Sequence, residues 1–365
     1  MTLLLSNEEI EDLLTMPESL AALELAYKDV AEGKAIPGTR ADSVGQTKGE
    51  TDTDEALYQL KMMGSIAESL EVGAIRINSD ILTWPTKSGT KRRTKAPLAP
   101  NNRWTGLVLL FSMNTGEPLA IFPDGIIQLT RVAATTALGI KYMARENAKT
   151  VGLIGAGEQA RSHVIATAAV RDVESFKVYG PTKANRDAFC QELQGKTGIQ
   201  MTPVDSAHEA VEGTDIAICA TNALDPVLFQ DWVEPGMHIT SIQDKGASEI
   251  EPEAILKADV VAVHERGNMS HGYITKTKGV NMPDQGEDLT MMPELEAVMK
   301  SPTLAEIIAG LAPSRTSDDQ VTCFLNYRGL GVQFAALGHA VYNNAKKQGV
   351  GNELPTDWFT ENVCP

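Results

Sequence analysis

The chain has 365 residues, enough for about two domains, with 42% hydrophobic and 22% charged residues, as in a soluble globular protein. Lys and Arg number 32 against 48 Asp and Glu, a formal charge of −16. That balance excludes nucleic acid and anionic membranes as main partners, since both need basic surface, but it leaves room for a small anion in a local basic pocket.

Four scattered cysteines (Cys190, Cys219, Cys323 and Cys364) form no CxxC pair, so no zinc site or disulfide framework is expected. The first residues lack a basic start and a long apolar core, and no apolar run reaches membrane-spanning length. A cytoplasmic protein without metal is the expectation.

In chain order, Ser6 and Glu9 form a capping box, and Ile10, Leu13, Leu14, Leu20, Leu23 and Ala26 keep helical spacing, so the first forty residues read as helical. Residues 45–54 read as an acidic loop. Residues 56–130 read as strands: 74–78 alternate, 107–112 form a buried run, and Asn114-Thr115-Gly116 is a hairpin turn before 119–122. Between them, residues 85–103 hold six basic residues and no acid, and read as a long surface loop. A helix follows over 130–144, opened by Arg131 at its polar end.

From Thr150 the pattern becomes strand–helix alternation. Strands are expected near 150–154, 176–179, 199–204, 215–220, 238–242 and 259–264, with helices near 158–170 and 183–194 and another opened by Ser206. Such alternation means a parallel sheet covered on both faces. The tail, 320–347, reads as one helical stretch.

The strongest single motif is Gly155-Ala156-Gly157-Glu158-Gln159-Ala160, a G-x-G-x-x-A between a buried strand and a helix. Gly155 permits the tight turn, Gly157 lets a pyrophosphate approach the backbone, and Ala160 allows close helix–strand packing. The helix N-terminus supplies free N–H groups to phosphate. After the next strand, no acid precedes Asp187, whereas Thr182, Lys183, Asn185 and Arg186 are available to a 2′-phosphate. NADP is therefore favoured, with NAD the second choice.

Three further stretches accompany this motif: Leu129-Thr130-Arg131-Val132-Ala133-Ala134-Thr135, Asn114 to Ala120, and Pro226 to Ile239 with its Trp232, Pro235, Gly236 and His238. Together with Ala148 to Ala160 they resemble the ornithine cyclodeaminase/mu-crystallin family, from Leu3 to about Tyr342. The resemblance implies an α/β fold: a Rossmann dinucleotide-binding domain over 141–321, and an α+β dimerisation and substrate domain built from 1–140 and 322–350. It also implies a homodimer and chemistry at the C–N bond of a small amino or imino acid. Three activities fall within it: an NAD(P)-dependent amino-acid dehydrogenase or imine reductase, a cyclodeaminase that releases ammonia, and a non-catalytic NADPH-dependent binding protein.

By the same resemblance, Arg40 and Arg131 bind the substrate carboxylate, a task that suits a planar guanidinium. The family's lysine is replaced here by Arg76, which clamps a carboxylate but does not titrate near neutral pH. Lys61, on the neighbouring segment, is a second catalytic candidate, weighed against an ordinary solvated strand lysine. Asp244 stands where cyclodeaminases carry the acid that handles the substrate amine, in a loop that is about two residues shorter here. Thr221, Asn222 and Ile242 join the cofactor-binding set, and Asn326 is a candidate to hydrogen-bond the nicotinamide or the substrate.

Overall fold

The computed structural model describes residues 1–48, 56–87, 90–91, 94–223, 225–242, 244–245, 247–266, 273–282, 297–298, 300–327 and 329–363; at 86–87, 90–91, 244–245, 247–248 and 273 it describes the backbone only. The chain divides into two compact units. One comprises Met1–Arg131, Ser270–Asp284 and Gly329–Pro365, the other Val132–Met269 and Gln285–Arg328.

The first unit is built on a mostly antiparallel sheet. Its strands run in the order 273–276, 41–46, 56–67, 72–83, 105–112, 118–123, 2–4 and 352–354, with 94–96 also paired to 72–83. The two long strands, Ala56–Ala67 and Val72–Thr83, alternate over most of their length between buried and more exposed residues, so one face of the sheet is inner and the other outer. The helices Asn7–Leu13, Met16–Ala31 and Gly331–Gln348 belong to this unit, and 331–348 packs on the three central strands. The Ser6–Glu9 capping box is present: each backbone N–H is taken by the other residue's side chain, at 2.7 and 3.3 Å.

Several expectations need correction here. Thr2–Leu4 is a strand rather than part of the first helix, because its backbone pairs with 120–121 and 352–354. Ala41–Gln46 is a strand at the start of the expected acidic loop; the rest of that loop, 49–55, lies outside the described residues. The basic stretch 85–103 is partly ordered into the sheet, since Thr94–Ala96 pairs with 81–83. The helix expected from Thr130 begins earlier, at Gly125, so Arg131 lies in its second turn.

The second unit is a seven-stranded sheet, all parallel, in the order 200–203, 175–179, 150–154, 216–219, 238–241, 322–325, 260–263. Alternate residues of each strand enter different cores. Ile216 and Ile218 pack with Val151, Leu153, Phe176 and Val178 on one face, while Ala217 and Cys219 pack with Ile239 and Cys323 on the other. Burial on both faces is what continuous apolar strands require. The strand order reverses between 150–154 and 216–219, and in such sheets ligands bind beyond the carboxyl ends of the strands at that reversal.

The expected single helix over 320–347 is split. Thr322–Leu325 is a fully buried strand paired with 238–241 and 260–263, and only Gly331–Gln348 is helical. Four short buried residues carry no periodicity that separates a strand from a helix. The tail therefore joins the parallel sheet first, and its return to the first unit starts at 329 rather than 322.

Candidate active site

In the second unit, the glycine loop follows the 150–154 strand. Gly155 has φ +124°, and a Cβ there would stand 2.2 Å from the Ala220 carbonyl oxygen, so the fold itself demands glycine. Gly157 is different. It caps the helix Glu158–Ala168 with φ −98°, open to any residue, and a Cβ there meets no protein atom within 4 Å. Neither backbone strain nor packing explains a glycine at 157, whereas close approach of a pyrophosphate does. No side chain caps this helix, so its first N–H groups remain free for phosphate oxygens. Ala156 packs against Gly180, and Glu158 is exposed beside Arg161.

Two features organise the strand ends around this loop; sequence reasoning named Asn326 and Gln159 but missed Glu249, Thr136 and His163. Glu249 is fully buried and accepts four hydrogen bonds: from the Thr221 amide (2.6 Å), the Thr221 hydroxyl (2.7 Å), the Ser241 hydroxyl (2.8 Å) and the Ile242 amide (3.1 Å). It thus ties together the segments after strands 216–219 and 238–241. Burial pushes its carboxyl above the ordinary glutamate range, against the pull of the Thr221, Ser241 and Ile242 donors.

The second feature is a polar chain. Asn326 donates through Nδ2 to Thr136 Oγ1 (2.8 Å) and to the Val132 carbonyl (3.0 Å). Thr136 meets His163 Nε2 at 3.1 Å, and His163 Nδ1 meets the Gln159 carbonyl at 2.6 Å. The last contact makes Nδ1 the donor, so the Thr136 hydroxyl gives its proton to Nε2. Burial lowers the His163 pKa to about 4, which keeps the ring neutral. Asn326 Oδ1 and Gln159 Oε1 are buried without a hydrogen-bond partner. Unpaired buried acceptors are rare, and a nicotinamide carboxamide brings the N–H groups they lack. The residues present therefore fit a nicotinamide dinucleotide.

The cofactor-discriminating loop needs one correction. Arg186 is buried and bonded to Asp205 and, at 3.1 Å, to the Gly180 carbonyl, so its charge is committed within the protein. Thr182, Lys183 and Asn185 are exposed; Lys183 pairs only with Asp187, at 2.7 Å, on the surface. Asn222 is exposed. The Asp244 side chain lies outside the described ones.

In the first unit, the inner sheet face carries ions where a core would carry aliphatics. Register places Asp42, Lys61 and Asn78 in one row across three strands, with Arg76 and Asp80 two residues either side of Asn78. Arg40 bonds Asp42, through Nε at 2.7 Å and also through Nη2. Arg76 Nε bonds Asp124 at 2.7 Å, and Asn78 bonds the same oxygen at 3.0 Å. Lys61 and Lys95 share Asp80, at 2.7 and 2.9 Å. Lys61 is thus buried, not solvated, because the two-residue period of its strand turns it inward.

Arg131 stands apart. Only 7% of it is exposed, yet its partners are two neutral amides: Gln128 Oε1 at 3.3 Å and Gln333 Oε1 at 3.2 Å. Among the described residues no carboxylate lies within ion-pair distance of it. Burial and the nearby Arg76 lower its pKa to about 9. Arg76 and Arg131 both lie over the Phe334 ring, at 4.9 and 5.7 Å from its centre, so the structure brings these two guanidiniums together. Arg40 is close enough for its charge to act on Arg131 and Lys61.

Comparison with known proteins agrees with this geometry. The family model described as ornithine cyclodeaminase/mu-crystallin family matches residues 2–349. A Delta(1)-pyrroline-2-carboxylate reductase of Bacillus cereus is 30% identical over 354 residues, covering 96% of this chain and 99% of the relative. The solved Delta(1)-pyrroline-2-carboxylate reductase of Thermococcus litoralis, in complex with NADH and L-proline, is 28% identical with a TM-score of 0.76, over 97% of this chain and all (100%) of that one. An archaeal alanine dehydrogenase dimer with bound NAD is 25% identical with a TM-score of 0.76, over 97% and 99% of the two chains. On the breadth of that match, the chain belongs to the ornithine cyclodeaminase/mu-crystallin family.

Proposed function

We propose that the protein is an NAD(P)-dependent oxidoreductase that interconverts a small imino acid and the corresponding amino acid. When bound, the nicotinamide supplies or accepts the hydride. The observation that carries the substrate side is Arg131, a buried guanidinium with amide partners and, among the described residues, no carboxylate within ion-pair distance. A buried charge needs an anionic partner, and a substrate carboxylate provides one in bidentate form. Arg76 and Arg40, though held by Asp124 and Asp42, add positive potential beside it. Fixing the carboxylate in this way lowers the entropic cost of aligning the reacting carbon.

Gly155, Ala156, Gly157, Glu158 and Gln159 would hold the pyrophosphate, and Thr221, Asn222, Ile242 and Asn326 the ribose and nicotinamide. The finer preference is for NADP(H). It rests on Thr182, Lys183 and Asn185 and no longer on Arg186. Asp244 is the proposed partner of the substrate nitrogen on the nucleotide side.

We place the protein in the cytoplasm, as its described cysteines are free and buried, and no helix among the described residues is long and apolar enough to cross a membrane. A homodimer is proposed through the outer face of the first unit's sheet. Tyr58, Met62 and Leu107 lie there more than a third exposed, among half-buried Ile75, Ile77 and Leu109. An apolar sheet face of that extent calls for cover.

The test is spectroscopic. Loss of NADPH or NADH absorbance with Delta(1)-pyrroline-2-carboxylate, or with pyruvate plus ammonia, is the expected result. Release of proline and ammonia from ornithine without net absorbance change would replace this reading with a cyclodeaminase. Tight NADPH binding with no turnover of any imino acid would leave a binding protein.

A further inference from the structure

We propose that Lys61 is the catalytic proton-exchanging residue of the site. Its amine takes a proton from the substrate ammonium during oxidation and returns it to the nitrogen of the newly formed amine during reduction. The proposal rests on the oxidoreductase reading above and names the residue that exchanges the proton, leaving Asp244 as the proposed charged partner of the nitrogen.

The chemistry requires such a group. In the oxidative direction the substrate enters with its nitrogen as an ammonium, which has no lone pair to push. The ammonium N–H bond breaks, its electron pair stays on nitrogen, and the proton forms a new N–H bond on a neutral lysine amine. The Cα–H bond then breaks, with hydride leaving to the oxidised nicotinamide, while the nitrogen lone pair forms the C=N bond. Reduction runs these steps backwards, and atoms, charge and electrons balance in both directions.

On the inner face of the first unit's sheet, few groups are able to serve. Arg40, Arg76 and Arg131 carry positive charge on guanidinium groups, which are poor proton-exchange groups. Asp42 and Asp124 are bonded to Arg40 and Arg76. Asp80 is bonded to both lysines. Lys95 is two-fifths exposed and approaches Asp80 from the 94–96 strand. Lys61 alone among these amines is buried within the strip, in register with Asp42 and Asn78 and diagonal to Arg76 across the strand pair.

Its surroundings suit the task. The charged groups around it are Asp42 from the first neighbouring strand and Arg40 just before that strand, Arg76 and Asp80 from the second, and Lys95 beyond Asp80. One carboxylate serves two ammoniums, so the second lysine weakens the first one's hold on its proton. Burial first, then the charges of Lys95, Arg40 and Arg76, take the amine well below the ordinary lysine range, against the pull of Asp80. The ion-pair geometry and the burial thus both make this amine readier to exchange a proton than an exposed lysine, as acid–base work demands.

The experiment uses full-length Lys61→Met, Lys61→Arg and Lys95→Gln proteins beside the parent. Delta(1)-pyrroline-2-carboxylate reduction is expected to fall about 10²–10⁴-fold in both Lys61 variants, the range of a lost acid–base group, with NADH affinity by fluorescence unchanged. Lys61→Arg keeps the charge and ion-pairing capacity, so its retaining activity within tenfold of the parent would overturn the proposal. A second readout needs no turnover: the ¹³Cε signal of Lys61 in cofactor-free protein, assigned with Lys61→Arg. It should titrate well below an ordinary lysine, and its midpoint should rise in Lys95→Gln; an ordinary midpoint in the parent would also overturn it. Parent protein that binds NADH yet reduces no imino acid overturns the oxidoreductase reading and this proposal together. An active parent with an active Lys61→Arg overturns this proposal alone.

Discussion

The parallel sheet of the second unit buries aliphatic side chains on both faces, whereas the sheet of the first unit buries a row of ions on one. In the second unit the proposed ligand-facing chemistry comes mainly from backbone at strand ends: the free N–H groups after Gly157, and the segments held by Glu249. In the first unit the proposed chemistry comes from the middle of the strands, where Lys61, Arg76 and Asp80 occupy positions a core would give to Val or Ile. A site made of backbone is specified by where side chains are missing. A site made of buried ions is specified by charges that the protein does not itself balance. The two kinds of site should therefore fail in different ways.

The sharpest separation is expected within the glycine loop. Gly155→Val forces a β-branched residue into positive φ and against the Ala220 carbonyl, and should cost about 3 kcal/mol or more, or prevent folding. Gly157→Val should leave the melting temperature nearly unchanged while weakening NADH at least about 100-fold, because the only clash is with the cofactor. Thermal melts beside a fluorescence titration check both.

Acid should expose the second unit's buried histidines. Burial holds His163 at about 4, and burial together with Arg315 and Arg171 holds His238 at about 3. Both are neutral when folded, and in the unfolded chain both take a proton below about 6.5. The unfolded state therefore binds more protons across this window, so stability is full above pH 6.5 and falls as pH drops toward 4. The loss should be on the order of 3–5 kcal/mol for each fully titrated group, read from denaturant midpoints between pH 7 and 4. His163→Gln should flatten part of that slope.

Arg131→Met inverts the pattern. It should lower kcat/KM for the imino acid about 100-fold, the worth of charge-assisted hydrogen bonds. Stability should be unchanged or higher, because a buried guanidinium without a carboxylate gives way to an apolar chain. A lower melting temperature with intact kinetics would make Arg131 a structural residue.

The smallest effect is reserved for Lys183. Its surface pair with Asp187 is worth little. Lys183→Ala should weaken NADPH several-fold, on the scale of one exposed ion pair, and leave NADH alone, as measured by the ratio of the two dissociation constants.

Much of the second unit was legible from the chain. Strand–helix alternation and the G-x-G-x-x-A motif are local patterns, and the structure places each close to its expected position. The 322–325 strand was not, because four buried residues carry no period. Glu249 was not singled out among the 48 acidic residues, since no local pattern marks a carboxylate that donors at Thr221, Ser241 and Ile242 will enclose. Nor does anything local mark the polar chain through His163, since Thr136 and Asn326 lie 27 and 163 positions from it in the chain.

What the sequence by itself determined is the part that depends on neighbours in the chain: helix caps, strand periods, the glycine loop, and the presence of arginines in an acidic protein. The fold class follows from those, because each is a local preference repeated often enough to admit one arrangement. Only the tertiary structure decided which charges are balanced. Arg186 found Asp205, Arg76 found Asp124, Lys61 and Lys95 met on one carboxylate, and Arg131 was left with amides. Ion pairing and burial are set by contacts between remote segments, and a net charge of −16 says nothing about which cation lacks a partner.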